Sequence, residues 1–219
     1  MGATGTTIPR MSYTSAAGRC AFCERGQSVG FLHAISDVSG ESSMKILVLC
    51  GSARKHGNSN TLADSFIRGA DGAGHEVSRL DCSRLDVHQC LGCWKCGMNG
   101  PCVQKDDFEK VRELILPADA VVFVSPMYYF AIAAKLKIVI ERFFAINTPI
   151  TGHKKACLIM TYNQTSPHYA EPVLSQYRVT LEFLKWQDAG TLICGGLGQA
   201  GAVKGTPYIE QAYNFGRNI

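Results

Sequence analysis

The chain has no apolar run approaching the ~20 residues that a bilayer span requires, so no membrane helix is expected. No charged-then-apolar leader opens it. No block of lysine and arginine stands out. The 22 basic and 18 acidic residues are spread thinly, with a formal charge of +4, and nucleic acid is not an expected partner. No Gly-x-Ser-x-Gly elbow appears, which disfavours serine hydrolase chemistry. His75, His88, His153 and His168 have no helix-spaced His or Glu partner, so none suggests a metal site.

Cysteine, by contrast, is abundant, with ten in the chain. A chain of 219 residues, 46% of them hydrophobic, is too long and too rich in core segments to be a small disulfide-stapled module. It suits one domain of moderate size with an appendage, or at most two small domains. A reducing, cytoplasmic setting is the default. There, clustered cysteines point to metal ligation or redox chemistry, and scattered ones usually pack. Cys50, Cys157 and Cys194 lie in or at the ends of apolar strands and read as core.

Residues 1–43 are rich in Ser, Thr, Gly and Ala and carry no helix or strand period. They read as a low-order extension, or as sequence upstream of a start at Met44. Cys20 and Cys23 form a C-x2-C pair there that reads as half of a metal site, as a redox pair, or simply as part of the loose extension. From Met44 the pattern turns regular. Strands are expected over Lys45–Cys50, Glu76–Asp81, Asp119–Ser125, Lys155–Thr161 and Thr191–Cys194. Helices are expected over Asn58–Ala73, Asp107–Leu116, Ala131–Phe144, Tyr169–Lys185 and Tyr208–Phe215. Five strands alternating with helices predict an α/β domain over 44–219, with a doubly wound parallel sheet covered on both faces.

Directly after the first strand stands Gly51-Ser52-Ala53-Arg54-Lys55-His56-Gly57-Asn58-Ser59-Asn60-Thr61. Neither the Gly-x4-Gly-Lys-Ser/Thr phosphate loop nor the Gly-x-Gly-x2-Gly dinucleotide fingerprint is present, which excludes the common ATPase and Rossmann readings. The position still favours an anion, because the loop leaves a strand's carboxyl end and feeds a helix N-terminus with free N–H groups. A cofactor phosphate is the natural anion. Ser52, Arg54, Asn58, Ser59, Asn60 and Thr61 are the candidate ligands, with Arg54 able to make a bidentate contact. His56 is either an anion contact or a solvent-facing loop residue.

A second anchor is Ser125-Pro126-Met127-Tyr128-Tyr129-Phe130, beyond the third strand. Aromatics at a strand's end offer flat apolar walls to a planar ring, or plug a core or an interface. Together GSARKHGNSNTLADSF, the Ser-Pro-x-Tyr segment and the helix AAKLKIVIERFF resemble the flavodoxin-like NAD(P)H-dependent FMN reductase and iron–sulfur flavoprotein superfamily over about residues 44–195. The resemblance implies strand order 2-1-3-4-5 and FMN as cofactor, with its phosphate on the loop. Pro126, Met127, Tyr128, Tyr129 and Phe130 would frame its ring. Thr161 and Asn163, after the fourth strand, would reach its far edge. It implies NAD(P)H as co-substrate and no catalytic acid–base residue. The acceptor would be a quinone, a nitro compound or free flavin, or electrons would pass to or from a ferredoxin. It also implies a homodimer or homotetramer, for which the apolar helix bearing Phe143 and Phe144 is a candidate surface or simply core.

Cys90-x2-Cys93-x2-Cys96-x5-Cys102 is the sharpest local signal, inside a cysteine-rich loop over 82–105. Four thiolates so close can wrap one metal centre, and thiolates select zinc or iron–sulfur groups. Successive x2 spacings fit a cubane better than the two separated knuckles of structural zinc. The pattern also resembles the iron–sulfur flavoprotein signature, which implies that these four cysteines hold a [4Fe-4S] cluster. Zinc, as in a flavin-free interaction module, and free thiols are the open alternatives.

Overall fold

A computed structural model of the protein describes residues 43–219. The extension and its Cys20–Cys23 pair lie outside the described residues. In chain order the domain has β1 (Lys45–Cys50), α1 (Asn58–Gly72), β2 (Glu76–Asp81), α2 (Phe108–Ile115), β3 (Ala120–Tyr128), β4 (Ala131–Ile132), α3 (Ala134–Arg142), α4 (Asn147–Ile150), β5 (Lys155–Thr161), α5 (Glu171–Leu184), β6 (Gln187–Cys194) and α6 (Tyr208–Arg217).

The sheet runs β2-β1-β3-β5-β6, with β4 paired only to β3. The five long strands are mutually parallel and β4 is antiparallel. Setting β4 aside, this is the expected flavodoxin-like order; the sheet has six strands, not five. The central strands β1, β3 and β5 are nearly continuous apolar runs because helices cover both their faces. The edge strands β2 and β6 are half-buried and correspondingly polar.

Period-two alternation divides the core. Leu47, Leu49, Val121, Phe123 and Leu158 face α2, α3 and α5. Ile46, Val48, Val122, Val124 and Ile159 face α1 and α6. On α1, Leu62, Phe66 and Ala70 recur at helical spacing and are fully buried. Burial of Leu62 and Phe66 stabilises by about 1.5–3 kcal/mol each. Helices α1 and α6 meet backbone to backbone. A Cβ on Gly69 would overlap the Tyr213 carbonyl, and one on Gly216 would overlap the Phe66 carbonyl.

The stretch from β3 to α4, and the start of β6, depart from expectation. β3 continues past Ser125 to Tyr128 and turns back into β4, so the aromatics are hairpin rather than loop, and the next helix starts at Ala134 rather than Ala131. That helix ends at Arg142; Phe143–Ile146 is 3-10 and α4 follows. β6 begins four residues earlier than Thr191, because Gln187 and Asp188 pair with Lys155 and Ala156 along the β5 edge. No helix among the described residues is long and apolar enough to cross a membrane.

Candidate functional site

The carboxyl ends of all five parallel strands share one edge. The crossovers reverse direction between β1 and β3, which is where open α/β sheets bind ligands. The loop 51–57 leaves β1 at that point. The Gly51 N–H donates to the Val124 carbonyl at 2.8 Å, pinning the loop to β3. The Gly57 N–H donates to Arg54 O (3.0 Å), and the Asn60 side-chain amide donates to the same oxygen (2.8 Å). The Ser52 hydroxyl accepts from the Arg54 N–H at 3.2 Å. Ser52, Ser59 and Asn60 are buried, whereas Arg54, Lys55 and His56 are exposed.

The start of α1 is open. Gly57 makes no side-chain cap, and the first turn holds no acidic residue. The N–H groups of Asn58, Ser59 and Asn60 have no partner among the described residues. Among the described residues the positive end of the helix dipole thus has the exposed Arg54 in the loop before it and no carboxylate in its first turn, which favours an anion. The buried Oδ1 of Asn60 also has no partner. It is an acceptor, and it suits a hydroxyl.

Asn58 differs from expectation. Its side-chain amide donates to the carbonyls of Leu197 (3.0 Å) and Gln199 (2.7 Å), and its Oδ1 accepts from the Val203 N–H (3.2 Å). The side chain is spent on holding segment 195–203, leaving only its N–H for a ligand. Thr61 lies one turn into the helix, its hydroxyl donating to Gly57 O at 3.2 Å.

Beside this loop the end of β3 forms a two-residue hairpin. Tyr128 pairs with Ala131, and Tyr129 (φ 45°) and Phe130 (φ 60°) both lie in the left-handed region. That is the backbone of a type I′ turn, which normally takes Asn-Gly; two aromatics there store strain. Tyr129 is 98% exposed and Tyr128 about half exposed. Phe130 stacks on Tyr169 with centroids 5.8 Å apart. Pro126 and Met127 are half-buried along the strand. Ser125 is buried, and its hydroxyl accepts from the Ala133 N–H at 2.8 Å, seating the start of α3.

Thr161 is buried at the end of β5 and Asn163 is exposed in the loop beyond it. That loop is laced to the one after β6: Tyr162 N–H to Cys194 O (3.0 Å), Leu197 N–H to Tyr162 O (2.9 Å) and Gly196 N–H to Gln164 O (2.9 Å). Residues 195–203 therefore wall the edge, a role the sequence did not disclose. Their only signal is a cluster of glycines.

The cysteine-rich segment starts against the phosphate-type loop, where the Ser83 hydroxyl donates to Ser52 O at 3.1 Å. Its neck is zipped. Asp86 and Asp107 exchange hydrogen bonds, the His88 N–H donates to Asp106 Oδ2 (3.0 Å), and the Gln104 amide donates to Gln89 O (2.9 Å). Between these rungs the chain wraps through left-handed Gly92, Trp94, Gly97 and Met98. Trp94 packs edge-on to Phe144 (4.9 Å), and the Thr148 N–H donates to Met98 O (2.9 Å), so the loop rests on the 3-10 turn after α3 and on α4. Phe143 itself is core.

Cys90, Cys93, Cys96 and Cys102 all carry free thiols and line one small cavity of about 20 Å³. They do not converge: among the described residues no three His, Cys, Asp or Glu side chains are placed to hold a metal ion. Cys50, Cys82, Cys157 and Cys194 are buried, and burial pushes their thiols up to about 12, so they stay protonated.

The family model for NADPH-dependent FMN reductase matches residues 44–191. The chain belongs to that family. Among curated proteins, this FMN reductase family member is 35% identical to an iron–sulfur flavoprotein of Archaeoglobus fulgidus over 99 residues, 45% of each chain. It is 24% identical to an iron–sulfur flavoprotein of Clostridioides difficile over 173 residues, 77% of this chain and 72% of that one. It spans about half the length of several of the curated relatives it matches. Solved structures share the fold. An NAD(P)H:quinone oxidoreductase from Methanothermobacter marburgensis aligns with TM-score 0.64 and 22% identity over 81% of this chain and 96% of that one. An azoreductase from Bacillus anthracis aligns with TM-score 0.63 and 19% identity over 80% and 100%. The loop after β1, the aromatic hairpin and the four cysteines all fall within the matched span of this FMN reductase relative; segment 195–203 falls just beyond it.

Proposed function

We propose that the protein binds FMN at the carboxyl edge of β1 and β3 and passes electrons from NAD(P)H to a small acceptor such as a quinone, a nitro compound or free flavin. The observation that carries this is the uncapped, carboxylate-free start of α1 at the sheet's switch point, with the buried orphan oxygen of Asn60 beside it. The N–H groups of Asn58, Ser59 and Asn60, the Ser59 hydroxyl and Arg54 would hold the phosphate. Asn60 Oδ1 would accept from a ribityl hydroxyl. The half-buried Pro126 and Met127 and the exposed Tyr128, Tyr129 and Phe130 would bound the ring on one side, with Thr161 and Asn163 at its far edge. When bound, FMN supplies two-electron acceptance from a nicotinamide and one- or two-electron release. The protein's part is to bind, orient and shield it.

The four thiols lining one cavity fit, by their chemistry, a thiolate-held group, and the iron–sulfur flavoprotein relatives favour [4Fe-4S] over zinc. Cys90, Cys93, Cys96 and Cys102 would hold it once the loop draws them together. A self-associating chain and a ferredoxin partner belong to the same reading.

The test is an anaerobic half-reaction. Protein reconstituted with FMN and mixed with NADPH or NADH should lose its flavin absorbance. A flavin that neither nucleotide reduces, but that reduced ferredoxin does, would turn the reading to an electron carrier without nicotinamide chemistry.

A further inference from the structure

Arg142 is 1% exposed, deep under the cysteine loop, and its side chain is committed on one side only. Nη1 and Nη2 clamp the two oxygens of Asp106 at 2.6 and 3.1 Å, and Nη1 also donates to the His88 carbonyl at 2.9 Å. The guanidinium lies over the Phe108 ring, 4.8 Å from its centroid. Its Nε–H is fully buried and has no partner among the described residues. A buried donor on a cation is unfavourable when unpaired, so this Nε–H suits an acceptor brought to it by the loop above.

Two cavities meet at this side chain. The larger, about 330 Å³, is lined by Asp106, Arg142 and one of the four thiols, Cys102. The smaller is lined by the four cysteines, and there Arg142 takes part and Asp106 does not. Cys90, Cys93 and Cys96 thus share a cavity with the cation and not with the anion, and Cys102 borders both. Apart from the thiols and Arg142, the polar groups in the small cavity are the Trp94 indole N–H, a donor, and Gln104, whose NH2 donates to Gln89.

Resting on the cysteine reading above, we propose that Arg142 is a positioning residue for the anionic group held by Cys90, Cys93, Cys96 and Cys102. Its Nε–H hydrogen-bonds a sulfur of that group, and its charge, fixed by Asp106, makes the group easier to reduce. Each added electron makes a thiolate-ligated cluster more negative, so a buried cation beside it raises the reduction potential, and a buried anion lowers it. Asp106 thus performs two opposed tasks: it holds Arg142 in place and partly offsets its charge.

The experiment measures cluster potential by dye-equilibrated EPR titration on protein reconstituted with iron and sulfide, with iron counted per chain. Arg142→Gln should shift the potential negatively and Asp106→Asn positively. A purely structural pair would not give opposite signs. Because either single change leaves a buried group unpaired, the Arg142→Met/Asp106→Leu double variant keeps the question answerable; apolar replacement of both partners is commonly tolerated. It should retain about four irons per chain and shift negatively, as Arg142→Gln does. Full iron with an unmoved potential in the double variant overturns the role of Arg142 alone. Wild-type chain that takes up no iron overturns the cluster reading, and this inference with it.

Discussion

Arg54 stands exposed at the turn of the loop after β1, its side chain without a partner among the described residues, so its removal separates ligand binding from stability. Arg54→Ala should weaken FMN binding by one charge-assisted hydrogen bond, ~1.5–3 kcal/mol or about 10- to 100-fold, and leave the melting temperature unchanged. Asn58→Ala should do the reverse in part, destabilising by about 2 kcal/mol or more, because three buried hydrogen bonds to segment 195–203 are lost. Thermal melts with FMN titrations on both variants check this. The two residues look equivalent in the sequence. They differ because the partners of Asn58 lie about 140 positions away, beyond the reach of any local pattern. Asp106 carries a pH consequence. Burial raises its carboxyl, but the Arg142 guanidinium and the N–H groups of His88 and Phe108 outweigh that and bring it from 3.8 to about 2. A folded value below the unfolded one stabilises the fold above the unfolded pKa, by about 2 kcal/mol here, and the contribution is lost as pH falls from about 4 through 2. Urea midpoints measured down that range should fall less steeply in the Arg142→Met/Asp106→Leu variant.

The packing of α1 on α6 depends on two glycines that leave no room for a Cβ. Gly69→Ala or Gly216→Ala should cost about 1–3 kcal/mol through forced separation of the helices, whereas Gly72→Ala, with only the Tyr213 hydroxyl at 3.7 Å, should be neutral or mildly stabilising. Urea unfolding of the three variants distinguishes them. The hairpin between β3 and β4 holds the opposite kind of constraint. Tyr129→Asn/Phe130→Gly relieves two left-handed aromatics and should raise stability by about 1–2 kcal/mol while weakening FMN binding. At this scale the apolar strands Lys45–Cys50 and Lys155–Thr161 were legible from residue type alone, because burial on both faces demands it. The hairpin was not, since an aromatic pair gives none of the Asn-Gly signal that marks such turns. The start of α3 was misplaced by three residues for the same reason.

Across the molecule, five β-α repeats predict a doubly wound parallel sheet and the family resemblance implies its order, so the edge that carries the loop, the hairpin and the cysteine neck was foreseeable. The enclosure of that edge was not, because segment 195–203 acts through backbone carbonyls. The cysteine spacing announced a thiolate site, but the Arg142–Asp106 pair beneath it was visible only as two charges 36 residues apart. The central claim concerns the phosphate of FMN at the start of α1. It is tested most directly by titrating the purified chain with FMN and with riboflavin, which lacks only the phosphate, and following flavin fluorescence. One FMN per chain, bound at least about tenfold more tightly than riboflavin, is the expected result, since a single charge-assisted contact is worth ~1.5 kcal/mol. Equal affinity for the two flavins, or no binding of either, would contradict it.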